Sequence, residues 1–177
     1  WIPEDSPMHL RQSEVTVAEL LKSAGYATCH VGKWHLNGHF NKPTQPQPRE
    51  HGFDHWFSTQ NNAGPSHKNP NNFVRNGQSV GAQEGYSAHL VADEAIGWLK
   101  AGRDAAKPFF MYVCFHEPHE PIAADEKYTR LYPSDSATYS AHHGCITQMD
   151  DAFGRIMQTL DELKLRDDTF VMFTSDN

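Results

Sequence analysis

Residues 109–115, Phe-Phe-Met-Tyr-Val-Cys-Phe, follow a proline and carry no charge. A run of this length with continuous rather than alternating apolar character suits a strand buried on both faces, as parallel sheets contain. Two weaker runs fit the same scheme. Residues 26–31 read as a short strand ending at Gly32, and residues 169–173 as a strand after the polar turn Arg166-Asp167-Asp168. Helical patterns alternate with them. Ser13 and Glu14 precede Val17, Leu20, Leu21 and Ala24 at helical spacing, which predicts a helix capped at Ser13 and closed at Gly25. Leu90, Val91, Ile96 and Leu99 predict a second helix over 86–99, closed by Gly102. Ile146, Met149, Phe153, Ile156, Leu160 and Leu163 predict a long third helix begun by Ser134 or Ser136. Helix–strand alternation of this kind predicts an α/β fold with a mostly parallel sheet flanked by helices.

The polar residues collect after the strands. Gly32-Lys33-Trp34-His35 follows the first, His116-Glu117-Pro118-His119-Glu120-Pro121 the second, and Ser175-Asp176-Asn177 the third. Ligands in open parallel sheets bind beyond the carboxyl ends of the strands, so three distant segments can converge on one pocket. Taken singly, each has a plainer reading. Lys33 reads equally as a solvated turn lysine, His35 as a loop histidine bonded to backbone, and Asp176-Asn177 as a turn. Together they supply a cation, imidazoles for proton transfer near neutral pH, and hard oxygen donors suited to Ca²⁺ or Mg²⁺. That set fits an anionic, oxygen-rich substrate such as a sulfuryl or phosphoryl ester. Residues 36–81 lack periodicity, apart from the apolar island Gly52-Phe53-Asp54-His55-Trp56-Phe57. A connection so long points to function.

Composition narrows the classes. Fifteen Lys and Arg against 22 Asp and Glu give a net charge of −7, which argues against a general nucleic-acid binder. Three cysteines, Cys29, Cys114 and Cys145, show no C-x-x-C spacing and indicate neither a disulfide framework nor a zinc site. Cys29 and Cys114 sit in apolar runs as buried thiols would. No apolar run approaches the roughly 20 residues of a membrane helix. No signal peptide is visible, and a first residue Trp1 implies a true N-terminus elsewhere.

Four ordered motifs resemble one family. Gly25-Tyr26-Ala27-Thr28 leading to Gly32-Lys33-Trp34-His35-Leu36 is similar to the second signature of the formylglycine-dependent sulfatases, within the alkaline-phosphatase-like superfamily. Gly52-Phe53-Asp54-His55-Trp56-Phe57 resembles their G-F-D-x-W-F element. Pro108-Phe109-Phe110 through Pro118-His119-Glu120-Pro121 resembles their strand and histidine loop. Thr174-Ser175-Asp176-Asn177 resembles their T-S-D-N-G metal segment. Within the family, the arylsulfatase and N-acetylgalactosamine-6-sulfatase branch looks nearest. Asn37 intervenes before Gly38, where many relatives place glycine directly after the leucine.

The resemblance implies Asp176 and Asn177 as ligands of a divalent cation, calcium in most members with Mg²⁺ the alternative. Lys33 would contact sulfate, His35 would bond the hydrated formylglycine and act as base, and His119 would assist departure of the alcohol. His116 does not match a catalytic position and is expected to be structural or to support the groups that do. His67 and Lys68, in the Asn-rich loop 61–72, are candidates for contacting a sulfated glycan, a solvated loop being the plainer reading. No Cys or Ser here has the Pro and Arg of the family's C/S-x-P-x-R nucleophile motif. The expectation is therefore that residues 1–177 are an incomplete catalytic domain, lacking the first strand with its nucleophile and the region after Asn177. A sulfated small molecule or glycan would be the partner, in a periplasmic, secreted or lysosomal protein. Two alternatives remain at this stage: a phosphomonoesterase or phosphodiesterase of the same superfamily, and an inert or glycan-binding piece.

Overall fold

The structure is a computed structural model that describes residues 8–175 apart from 41 and 43. Helix α1, Val17–Ser23, starts three residues later than Ser13 would have it. Its cap is Thr16, whose Oγ1 accepts from the Glu19 amide at 3.2 Å while Glu19 Oε2 accepts from the Thr16 amide at 2.8 Å. The Thr-x-x-Glu pairing satisfies two otherwise orphaned donors, which Ser13-Glu14 cannot do at that spacing. Gly25, at φ 90°, turns the chain into strand β1, Ala27–Lys33, which runs two residues further than expected.

The aperiodic stretch contains more order than its composition suggests. A 3₁₀ turn at Pro48–His51 leads into β2, His55–Thr59, formed largely from the apolar island and parallel to β1. Two two-residue strands follow, β3 (Val74–Arg75) and β4 (Gln78–Ser79), antiparallel to their neighbours. Asn76 and Gly77 join them, both at positive φ (50° and 88°), the conformation that Asn-Gly hairpin turns require. Helix α2, Ser87–Gly97, ends in a π-helical turn, Trp98–Gly102. Strand β5, Phe109–Cys114, pairs parallel with β1. A short helix α3, Glu126–Thr129, precedes α4, Ala137–Glu162, capped by Ser136.

The sheet order is β4-β3-β2-β1-β5, so the mixed sheet is parallel at its centre. Alternation along buried β1 divides the core. Cys29 and Val31 join Phe57, Phe73 and the α2 and α4 residues Val91, Ala95, Ala152 and Ile156 on one face. Trp34 and Phe53 pack with Ala18 of α1 and with Phe110 in a second cluster.

Two strand expectations change. Strand β5 is half-buried rather than enclosed, with Tyr112 50% exposed, because among the described residues only β1 pairs with it. Residues 169–173 form no ladder among the described residues, and Phe170 and Met172 are 91% and 75% exposed. Their pattern suits a strand, but a strand exists only through a partner's backbone groups. Of the thiols, Cys29 and Cys145 are buried and Cys114 is partly exposed, all three free. No helix among the described residues is long and apolar enough to cross a membrane.

Candidate active site

The end of β1 is held against the end of β2 by backbone bonds. Lys33 pairs with Thr59 in the ladder, then the Trp34 amide donates to the Thr59 carbonyl at 2.9 Å and the His35 amide to the Gln60 carbonyl at 2.8 Å. One step earlier, Gly32 has φ 102°, and a Cβ there would lie 1.9 Å from the Cys114 carbonyl oxygen. Only glycine allows β1 and β5 to approach so closely. His35 adopts φ 50°, an uncommon conformation for a residue with a side chain. Backbone strain of this type collects at functional positions.

Lys33 and His119 meet through a third residue. Lys33 donates from Nζ to Asn62 Oδ1 at 2.9 Å. Asn62 Nδ2 lies 2.8 Å from His119 Nδ1 and donates to the Glu120 carbonyl at 3.0 Å. His119 Nδ1 is also 2.7 Å from that carbonyl. His35 belongs to the same group: burial, then the positive charges of Lys33 and His119, hold its imidazole below the ordinary histidine range. An imidazole biased in this way toward its neutral form is suited to accept a proton. The convergence expected from three strand ends is thus present for the first two.

Behind these groups lies a layer of buried polar residues that locks the loops together. Thr59 donates from its hydroxyl to the Asn61 carbonyl at 2.5 Å, so at 2.7 Å its oxygen accepts from His116 Nε2. His116 is buried, and burial followed by the charges of His67, Lys33 and His30 pushes it down to about 3. Its ring is thus buried with protonation disfavoured, and it reaches the site through Thr59. His67 is fully buried too: Nδ1 meets Ser87 Oγ at 2.9 Å, and Nε2 donates to the His119 carbonyl at 2.6 Å. With both nitrogens engaged and no exposed face, His67 has no surface for a glycan, and its bonds hold the His119 backbone instead. Lys68 is exposed, its ammonium 5.8 Å from the Tyr86 ring centroid.

Sequence reasoning missed two residues here. Glu117 is buried and its carboxyl accepts from Ser87 Oγ at 2.5 Å, the Ala88 amide at 2.9 Å and the His116 amide at 3.1 Å. Tyr86, the residue before α2, provides no side-chain cap, so Glu117 satisfies the helix start from another loop. An acid flanked by His116 and Pro118 was the available signal. Asn62 had none, being one amide among several in its loop. Asp176 and Asn177 lie outside the described residues. Among the described residues, no group of three or more His, Cys, Asp or Glu could hold a metal ion.

Comparison with known proteins decides the family. The family model described as Sulfatase matches residues 3–177. The chain belongs to the sulfatase family. The human N-acetylgalactosamine-6-sulfatase (Homo sapiens) is 35% identical over all of this chain and 35% of its own length. The chain thus spans about a third of that curated relative. Among solved sulfatase-fold structures, Ps i-CgsB in complex with k-i-k-neocarrahexaose superposes with a TM-score of 0.77 at 19% identity, over 90% of this chain and 39% of that one. BT4656, in complex with its substrate D-glucosamine-2-N,6-O-disulfate, gives 0.64 at 18% identity, over 90% and 49%. The mostly parallel sheet flanked by helices is accordingly the alkaline-phosphatase-like fold of the sulfatases, present here in part.

Proposed function

We propose that the protein carrying this chain hydrolyses sulfate esters, on a carbohydrate substrate, at the site where Lys33, His35 and His119 come together. The observation that carries this reading is the bridge from Lys33 through Asn62 to His119 beside His35. It joins an anion-binding ammonium to the exposed His119 imidazole, with His35 within electrostatic reach of both, in a chain of the sulfatase family. Relatives and neighbours that act on or bind sugars support the carbohydrate class.

The division of labour follows from the chemistry of each group. Lys33 neutralises non-bridging sulfate oxygens, whose charge must be held as the ester bond breaks. His119 gives a proton to the departing alcohol oxygen, and His35, held neutral, takes one up. Asp176 and Asn177 offer a carboxylate and an amide oxygen, a donor set that fits a hard cation such as calcium. When bound, that ion would withdraw charge from sulfate, and a formylglycine hydrate from outside these residues would supply the attacking oxygen. Residues 1–177 then form part of the catalytic domain and are inactive alone. His67 and Glu117 serve to position the His119 loop, and Lys68 is the remaining candidate for an anionic group on the glycan.

The test uses the full-length enzyme with calcium supplied. Inorganic sulfate released from sulfated saccharides, and its loss on chelation, is the expected result. Phosphate release from phosphate esters without sulfate release would replace this reading with a phosphoesterase of the same fold.

A further inference from the structure

Asn62 occupies a position where one small amide answers to both proposed chemical groups. An ammonium can only donate, so Lys33 fixes which end of the amide is oxygen. The Nδ2 end is thereby turned toward His119 Nδ1 and the Glu120 carbonyl, at 2.8 and 3.0 Å. Asn62 is itself held: Asn72 Nδ2 donates to its backbone carbonyl at 2.9 Å, while Asn72 Oδ1 accepts from the Gly64 amide at 2.9 Å.

The environment of His119 Nδ1 has a further property. The Asn62 amide on one side can only donate, and the Glu120 carbonyl, 2.7 Å away, can only accept. A bare Nδ1 accepts from Asn62, and a protonated Nδ1 donates to Glu120. The ring therefore finds a partner in either state without turning. With Nδ1 held by the loop, Nε2 is the nitrogen that would carry the proton to the departing oxygen, so the contacts at Nδ1 set the direction in which that proton is offered.

We propose that Asn62 is a positioning residue that couples Lys33 to His119, fixing the spacing between the sulfate clamp and the leaving-group acid and orienting the His119 ring through its Nδ1 side. This rests on the reading of Lys33 and His119 given above. Asn62 itself touches neither the reacting sulfur nor the departing oxygen in this scheme.

The test compares two substrates in the full-length enzyme, 4-nitrophenyl sulfate and phenyl sulfate. The first releases an acidic phenol that needs little protonation; the second releases a weaker one that depends on the acid. Asn62→Asp keeps an oxygen for Lys33 but replaces the amide donor with a carboxylate that repels the Glu120 carbonyl and draws the Nδ1 proton away from it, so the ring turns. The variant should slow phenyl sulfate about 10-fold more than 4-nitrophenyl sulfate in kcat, with KM changed by less than about threefold. Asn62→Ala loses both contacts and should raise KM as well. Thermal melting of both variants separates these effects from misfolding, which would depress the two substrates equally. An unchanged ratio between substrates in both variants overturns the inference while wild-type turnover leaves the sulfatase reading standing. Wild type that is silent on both sulfates but cleaves 4-nitrophenyl phosphate overturns both.

Discussion

Glu117 Oε1 accepts the backbone amide of Ala88 at 2.9 Å, so a carboxyl from the His119 loop caps helix α2 from outside. The same oxygen accepts from Ser87 Oγ, and Ser87 in turn meets His67, which holds the His119 carbonyl. Helix α2, loop 61–72 and the loop after β5 are thereby fastened together directly beneath the proposed proton donor.

Glu117→Ala is therefore expected to cost stability and to disorder the site together. It strands the Ala88 and His116 amides and the Ser87 hydroxyl in a buried space, for a loss of about 2–4 kcal/mol. Urea denaturation reads the loss directly. Glu117→Gln, which keeps one acceptor oxygen, should lose less. A change within about 0.5 kcal/mol for the alanine variant would show that the cap is dispensable.

The buried histidines give a pH dependence with a definite sign. Burial pushes both His30 and His116 down to about 3 from an ordinary value of 6.5. The unfolded chain binds protons below pH 6.5 that the folded chain refuses, so stability is complete above that value and falls as pH drops toward 3. The expected slope is about 1.4 kcal/mol per pH unit for each histidine, read from denaturation midpoints at pH 7.5, 6 and 5. A stability flat down to pH 5 would mean that neither ring is held neutral, and half the slope that only one is.

His35 should titrate below the ordinary histidine range, held there by burial and by Lys33 and His119. Lys33→Ala removes one positive neighbour, so the His35 titration is expected to move upward. Its ring resonances followed by NMR over pH 4–8 test this. An unmoved His35 in the variant would place Lys33 too far away to act on it.

Much of the frame was legible in the sequence because local chemistry sets it. The 3- and 4-residue spacing of Ile146, Met149, Phe153 and Ile156 foretold α4, with Ser136 as its cap. Strand β1 was equally readable, though its continuation to Lys33, set by the pairing with Thr59, was not. What escaped depends on partners far away in the chain. Thr16 rather than Ser13 caps α1 because Glu19 completes the pair, a feature that was present in the sequence but passed over. Strands β3 and β4 are two residues each, too short for any period, and only Asn76-Gly77 marked them. Residues 169–173 have a strand's composition and no ladder among the described residues, because pairing is not a local property. In the site, Lys33, His35 and His119 stood out by residue type and place. His67 looked alike but is buried, and Asn62 had no mark until its two ends were seen against Lys33 and His119.

The central claim is that Lys33 and His119 act on a sulfate ester, and one comparison tests it most directly. Sulfate release by the full-length wild-type enzyme is measured beside Lys33→Ala and His119→Ala, each checked for folding by thermal melting. The account predicts that each variant melts within a few degrees of wild type yet loses about 100-fold or more in kcat/KM. Folded variants that retain wild-type sulfate release would contradict it.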